Sequence, residues 1–77
     1  MFEPVRDGDE VFRVNLGSSP ALAAHVQALF DAKGLRTRSY RTGEGEGYNP
    51  TSSTILLFDA ADLEVAAGVL ADVADDL

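Results

Sequence analysis

Residues 54–58 read Thr54-Ile55-Leu56-Leu57-Phe58, with four apolar side chains in succession between Ser52-Ser53 and Asp59. A strand with one wet face alternates polar and apolar residues. An uninterrupted run of strand length instead predicts a strand covered on both faces. Such a strand belongs inside a sheet and needs a neighbour on either side. Two upstream segments qualify. Residues 35–42 (LRTRSYRT) alternate, with Leu35, Thr37 and Ser39 pointing one way and Arg36, Arg38 and Tyr40 the other. Residues 10–16 (EVFRVNL) also alternate, with Phe12, Val14 and Leu16 on one face and Val11, Arg13 and Asn15 on the opposite one.

The intervening segments supply two helices. Gly17-Ser18-Ser19-Pro20 reads as a turn, an N-cap and a first helical proline. The Ser19 hydroxyl can accept from an orphan N–H, and Pro20 stands where a missing N–H costs nothing. The first helix then presents Leu22, Val26, Leu29 and Phe30 on one face. Lys33 suits the negative end of its dipole, and Gly34 supplies the left-handed residue that stops it. A second helix follows the apolar run directly. Asp59 is expected to cap it, with Asp62 in a capping-box-like position, and the helix extends to about Ala74.

The order β-α-β-β-α, with one helix between the first two strands and a hairpin between the last two, predicts an α+β fold. Specifically it predicts a ferredoxin-like split arrangement: a three-stranded sheet of order 1-3-2 with two helices on one face and a right-handed crossover. The TILLF strand falls in the middle, as its apolarity requires. At 77 residues the chain reads as a single domain, with an N-terminal segment (1–9) and a flexible loop (43–53). The first strand is then an edge, which residues 2–5 or a second copy of the chain could cover.

Thirteen acidic against six basic residues give a net charge of −7, and there is no cysteine. Disulfides, thiolate metal sites and cysteine nucleophiles are thereby excluded, which fits a reducing compartment. No apolar run reaches the roughly 18 residues of a membrane span. The opening MFEPVRDGDE has neither a basic leader nor an apolar stretch, so no signal peptide and no membrane association are expected, and a cytoplasmic location is. The acidity disfavours nucleic acid, as does a sheet face with a single aromatic residue.

With both helices on one side, the other sheet face is open. Alternation assigns to it Val11, Arg13, Asn15, Arg36, Arg38 and Tyr40, joined by either Ile55 and Leu57 or Leu56 and Phe58. Four of the six basic residues, Lys33, Arg36, Arg38 and Arg41, fall within nine positions, so an acidic chain carries one strongly basic segment. Arginine and tyrosine beside apolar residues is the composition of an interaction patch, although arginines paired with acids of the same chain would look the same in sequence. On the second helix, Leu63, Ala66, Ala67, Leu70, Ala74 and Leu77 form one stripe, and Val65, Val69 and Val73 a second beside it. Together they are wider than docking on one sheet requires. Either the valines widen the core contact or they form a self-association surface. A dimer through the first strand or through this valine stripe is expected.

No motif specifies catalysis. Gly43-Glu44-Gly45-Glu46-Gly47 joins two strands instead of opening a helix, and its carboxylates would repel phosphate. Two glutamates are too few for a calcium loop. Glu44, Glu46 and Tyr48 can instead form an adaptable edge for a partner. His25 is alone, without the companions that a metal or a general base requires, and the serines lack a nucleophile context. No cofactor, metal or enzymatic activity is expected.

The segments Leu29-Phe30-Asp31-Ala32-Lys33-Gly34-Leu35 and Leu57-Phe58-Asp59-Ala60-Ala61-Asp62-Leu63-Glu64-Val65-Ala66 resemble a family of small bacterial proteins described as prokaryotic signal-transducing proteins. In that family an apolar strand precedes a helix ending in Leu-x-x-x-Gly-Ile. A glycine-rich loop follows, and a further apolar strand then runs into an acidic, alanine-containing helix. The resemblance implies a fold akin to that of PII-type nitrogen regulators, whose long loop between the second and third strands contacts partners. Residues 43–53 would correspond to that loop. The family's proline after Gly-Ile is replaced here by Arg36. The functional expectation is a non-enzymatic regulatory module that docks a protein partner through Arg13, Arg36, Arg38, Tyr40 and the loop. The alternative is a small-molecule or nucleotide sensor that holds an anion on the arginine-rich strand.

Overall fold

The computed structural model describes residues 2–42 and 52–76. In chain order its elements are β1 (Val5–Arg6), β2 (Val11–Asn15), α1 (Pro20–Ala32), β3 (Thr37–Arg41), β4 (Thr54–Asp59), a 3-10 turn (Ala60–Asp62) and α2 (Leu63–Asp75). The α+β class is as expected, but the sheet has four strands in the order β1-β2-β4-β3, not three. The TILLF run lies in β4, paired antiparallel to β2 on one side and to β3 on the other. β2 and β3 are therefore parallel to each other across β4. The additional strand comes from the N-terminal segment, where Val5 pairs with Arg13 and Arg6 with Phe12. It covers the outer side of β2, so the strand expected at an edge is interior.

Register divides the sheet into two faces. Phe12, Phe58 and Thr37 form one cross-strand row, and Val14, Leu56 and Ser39 the next on the same face. Phe12, Val14, Leu16, Leu56 and Phe58 pack with Ala23, Val26 and Phe30 of α1 and with Ala66, Val69, Leu70 and Val73 of α2 in a single core. Both helices thus cover one side of the sheet, and they also touch each other. Of the four residues expected in the α1 core stripe, Val26 and Phe30 are buried, and Leu22 and Leu29 are partly buried flanks.

Local chemistry sets the helix ends. The Ser19 hydroxyl accepts from the Leu22 N–H at 3.2 Å, and Pro20 opens α1. Gly34, at φ +77°, ends it, with its N–H on the Asp31 carbonyl. Ser19→Ala should cost about 1 kcal/mol in urea unfolding, the usual loss for an N-cap. A cost indistinguishable from zero would mean that the hydroxyl does not hold this end.

α2 departs from expectation at its start. Asp59 is still held in the β4 ladder opposite Val11, and the next N–H, of Ala60, donates to the Glu10 carbonyl at 2.8 Å. The chain therefore makes a 3-10 turn before the helix begins, and neither Asp59 nor Asp62 makes a side-chain cap. The valine stripe is also reassigned. Val69 and Val73 are 6% and 3% exposed, and only Val65, at 45%, faces outward. α2 packs against α1 as well as the sheet, so its apolar arc is wide because it has two partners.

Candidate functional site

The open face is built from the other set of alternating residues. Val5, Arg13, Leu57 and Arg38 form one row across all four strands, and Asn15, Ile55 and Tyr40 form the next. Of the two options for β4, it is therefore Ile55 and Leu57 that face this side. Ile55 is only 7% exposed, whereas Tyr40, beside it on the edge strand, is 48% exposed.

Arg13 and Asn15 are engaged within the chain. Arg13 makes an ion pair with Asp7 at 2.9 Å, across the turn that joins β1 to β2. The side chain of Asn15 folds back to accept from the Gly17 N–H at 2.7 Å. The other basic residues divide in the same way. Arg6 donates to the Asp9 carbonyl at 2.8 Å and lies over the Phe12 ring. Arg41 donates to the buried hydroxyls of Thr54 and Ser52 at 3.1 and 2.8 Å. It anchors the end of the sheet on the helix side and is not part of the open face.

Of the arginines, Arg36 and Arg38 remain. Both are exposed, and neither has a hydrogen bond or ion pair with another of the described residues. They border a groove of about 480 Å³ whose other lining residues are Val11, Thr37, Leu57, Phe58 and Asp59. The groove crosses three strands, with the arginines on β3 and its approach, Leu57 and Asp59 on β4, and Val11 on β2. Asp59 is the only acid among the described residues of its lining. By continuation of the β3–β4 register it lies opposite Arg36, but it closes no ion pair with either arginine.

The structure thus brings together Arg36, Arg38 and Tyr40 on one face of β3 and the residue that leads into it. It ties Arg13 to Asp7 and places Val69 and Val73 in the core. Glu44, Glu46 and Tyr48 lie outside the described residues. Sequence alternation had placed Val11 on this face. Leu57 needed the strand register to be assigned, and Asp59 was read as a helix cap, which concealed its position in the groove.

Among the described residues, no three His, Cys, Asp or Glu side chains converge as metal ligands would, and His25 is exposed on α1. No helix among them is long and apolar enough to cross a membrane. The groove presents two guanidinium groups over an aliphatic floor with one carboxylate at its end, which suits recognition of a ligand bearing negative charge beside apolar surface. Comparison with family models, curated proteins and solved structures found no match.

Proposed function

We propose that this chain is a non-enzymatic regulatory module that docks a protein partner through the open sheet face around Arg36, Arg38 and Tyr40. One observation carries the reading. In a chain of net charge −7, two adjacent same-face arginines have no ion-pair partner among the described residues, while Arg6, Arg13 and Arg41 are all engaged. Exposed arginine and tyrosine beside partly buried aliphatic surface is the make-up of a binding hot spot. A regulatory role agrees with the family resemblance of residues 29–35 and 57–66.

Charge reversal tests it. Immobilised chain carrying Arg36→Glu and Arg38→Glu should lose partners that the unmodified chain retains, while Lys33→Glu, at the end of α1, should keep them. An identical set of retained proteins on all three would remove this face from the function.

The groove's volume also supports a second reading, the sensing of a small anion or nucleotide, because small-molecule sites typically span about 300–1,000 Å³. A ligand at about 100 times its Kd stabilises a protein by about 2.7 kcal/mol, readily seen as a thermal shift. Docking of a protein predicts no such shift with nucleotides or inorganic phosphate. A shift abolished by the double charge reversal would favour the sensor instead.

A further inference from the structure

The two outer edges of the sheet are unlike. β1 is two residues long and follows Pro4, so it offers little backbone to a further strand. β3 pairs with β4 through five consecutive residues, from Thr37 opposite Phe58 to Arg41 opposite Thr54, with no bulge and no proline. No described residue pairs with its other side. A regular strand with one side unpaired is a template for another strand.

Charge decides which strand can use it. Two β3 strands from separate copies, laid edge to edge, would bring Arg36 and Arg38 of each close to those of the other. The arginines therefore block self-pairing, as charged edge residues commonly do. The same block becomes an attraction when the incoming strand is acidic. Side chains on a strand repeat every second residue, and directly opposed side chains in neighbouring strands stand about 5 Å apart. Arg36, Arg38 and Tyr40 share one face at this two-residue spacing, while Thr37 and Ser39, on the other, are small.

We propose that the outer edge of β3 accepts an extended acidic segment of a protein partner as a fifth strand. Acidic side chains at two alternating positions meet Arg36 and Arg38, and an apolar or aromatic side chain at the next alternating position lies beside Tyr40. The inference rests on the docking reading above and specifies its ligand. Main-chain hydrogen bonds to β3 supply affinity, and the alternating side chains supply specificity. Asp59 acts against the ligand as the one carboxylate among the described residues that line the adjoining groove.

The test uses labelled peptides centred on Glu-Thr-Glu-Thr-Phe and on its reverse, with binding to the full chain followed by fluorescence anisotropy. At least one should bind, more weakly as salt rises. Arg36→Glu with Arg38→Glu should weaken binding by roughly tenfold, and Arg36→Gln with Arg38→Gln by less, from two exposed charge pairs. Asp59→Asn, which removes no cap, should tighten it by about twofold. A permuted Glu-Glu-Thr-Thr-Phe peptide and a backbone N-methylated peptide should each bind roughly tenfold more weakly. The outward amides of β3 should gain protection from hydrogen exchange on binding.

Absence of binding by both alternating peptides overturns the inference, as does equal binding of the N-methylated peptide. If N-methylation has no effect but charge reversal still weakens binding, strand addition fails and docking on the face survives. If charge reversal affects neither peptide binding nor partner capture, both readings fall.

Discussion

Phe58→Ala should lower the unfolding free energy at 25 °C by about 3–5 kcal/mol, the largest effect expected of any single substitution in the sheet. Phe58 is 2% exposed at the centre of the helix-covered face. Its ring stacks on Phe12 with centroids 6.1 Å apart and meets Phe30 edge-on at 5.8 Å, so it joins β2, β4 and α1. Truncating a buried phenylalanine typically costs about 3–5 kcal/mol through lost transfer energy and the cavity left behind. Loss of the ring–ring contacts falls within that cost. Stability of about 0.05–0.15 kcal/mol per residue gives a 77-residue chain about 4–12 kcal/mol in total, so the loss takes much of the margin. Phe58→Leu, which keeps most of the volume, should cost about 1–2 kcal/mol. Leu57→Ala, one residue away on the open face, should cost clearly less than Phe58→Ala. Urea unfolding with an unchanged m-value is the measurement. A larger cost at position 57 than at position 58 would mean that β4 turns its other face to the helices, and equal costs would mean that both faces are equally buried.

That contrast between neighbouring residues also shows how far sequence reading reaches. Four apolar residues in succession at 55–58 place β4 inside the sheet, and the alternation at 10–16 and 35–42 identifies its two neighbours, because burial on one or both faces leaves a direct trace in composition. Ser19, Pro20 and Gly34 bound α1 because each answers a backbone requirement at its own position. β1 left no such trace. Val5-Arg6 is too short to show a period, and its pairing depends on the turn at residues 7–10 instead of on apolar patterning. The valine stripe of α2 was ambiguous because a helical wheel gives the width of an apolar arc but not how many neighbours share it. The candidate site divides in the same way. Alternation brought Arg36, Arg38 and Tyr40 to one face, but no pattern linked Arg13 to Asp7, which is six residues away across the turn and outside any strand.

Deleting residues 2–6 should both destabilise the chain and make it self-associate. The segment covers the outer side of β2 through the pairs Val5–Arg13 and Arg6–Phe12. Phe2 packs on the core, and the Arg6 guanidinium lies 4.9 Å from the centre of the Phe12 ring. Partial burial of a phenylalanine, a cation–π contact and a few strand hydrogen bonds together suggest a loss of about 2–4 kcal/mol. The deletion also bares a regular strand that carries Val11, Phe12 and Val14, the kind of edge that recruits another strand. Light scattering should then show a mean mass that rises with concentration in the truncated chain and more weakly, or not at all, in the full one. Because the new contact is apolar and backbone-mediated, high salt should not dissolve it, and Arg36→Glu with Arg38→Glu should not prevent it. This behaviour separates it from acidic-strand binding at β3. A synthetic peptide of residues 1–7, supplied in excess, should restore both the stability and the smaller mass by re-forming β1 in trans. A truncated chain with unchanged mass and with stability within about 0.5 kcal/mol of the full chain, the spread of surface substitutions, would mean that β1 protects nothing.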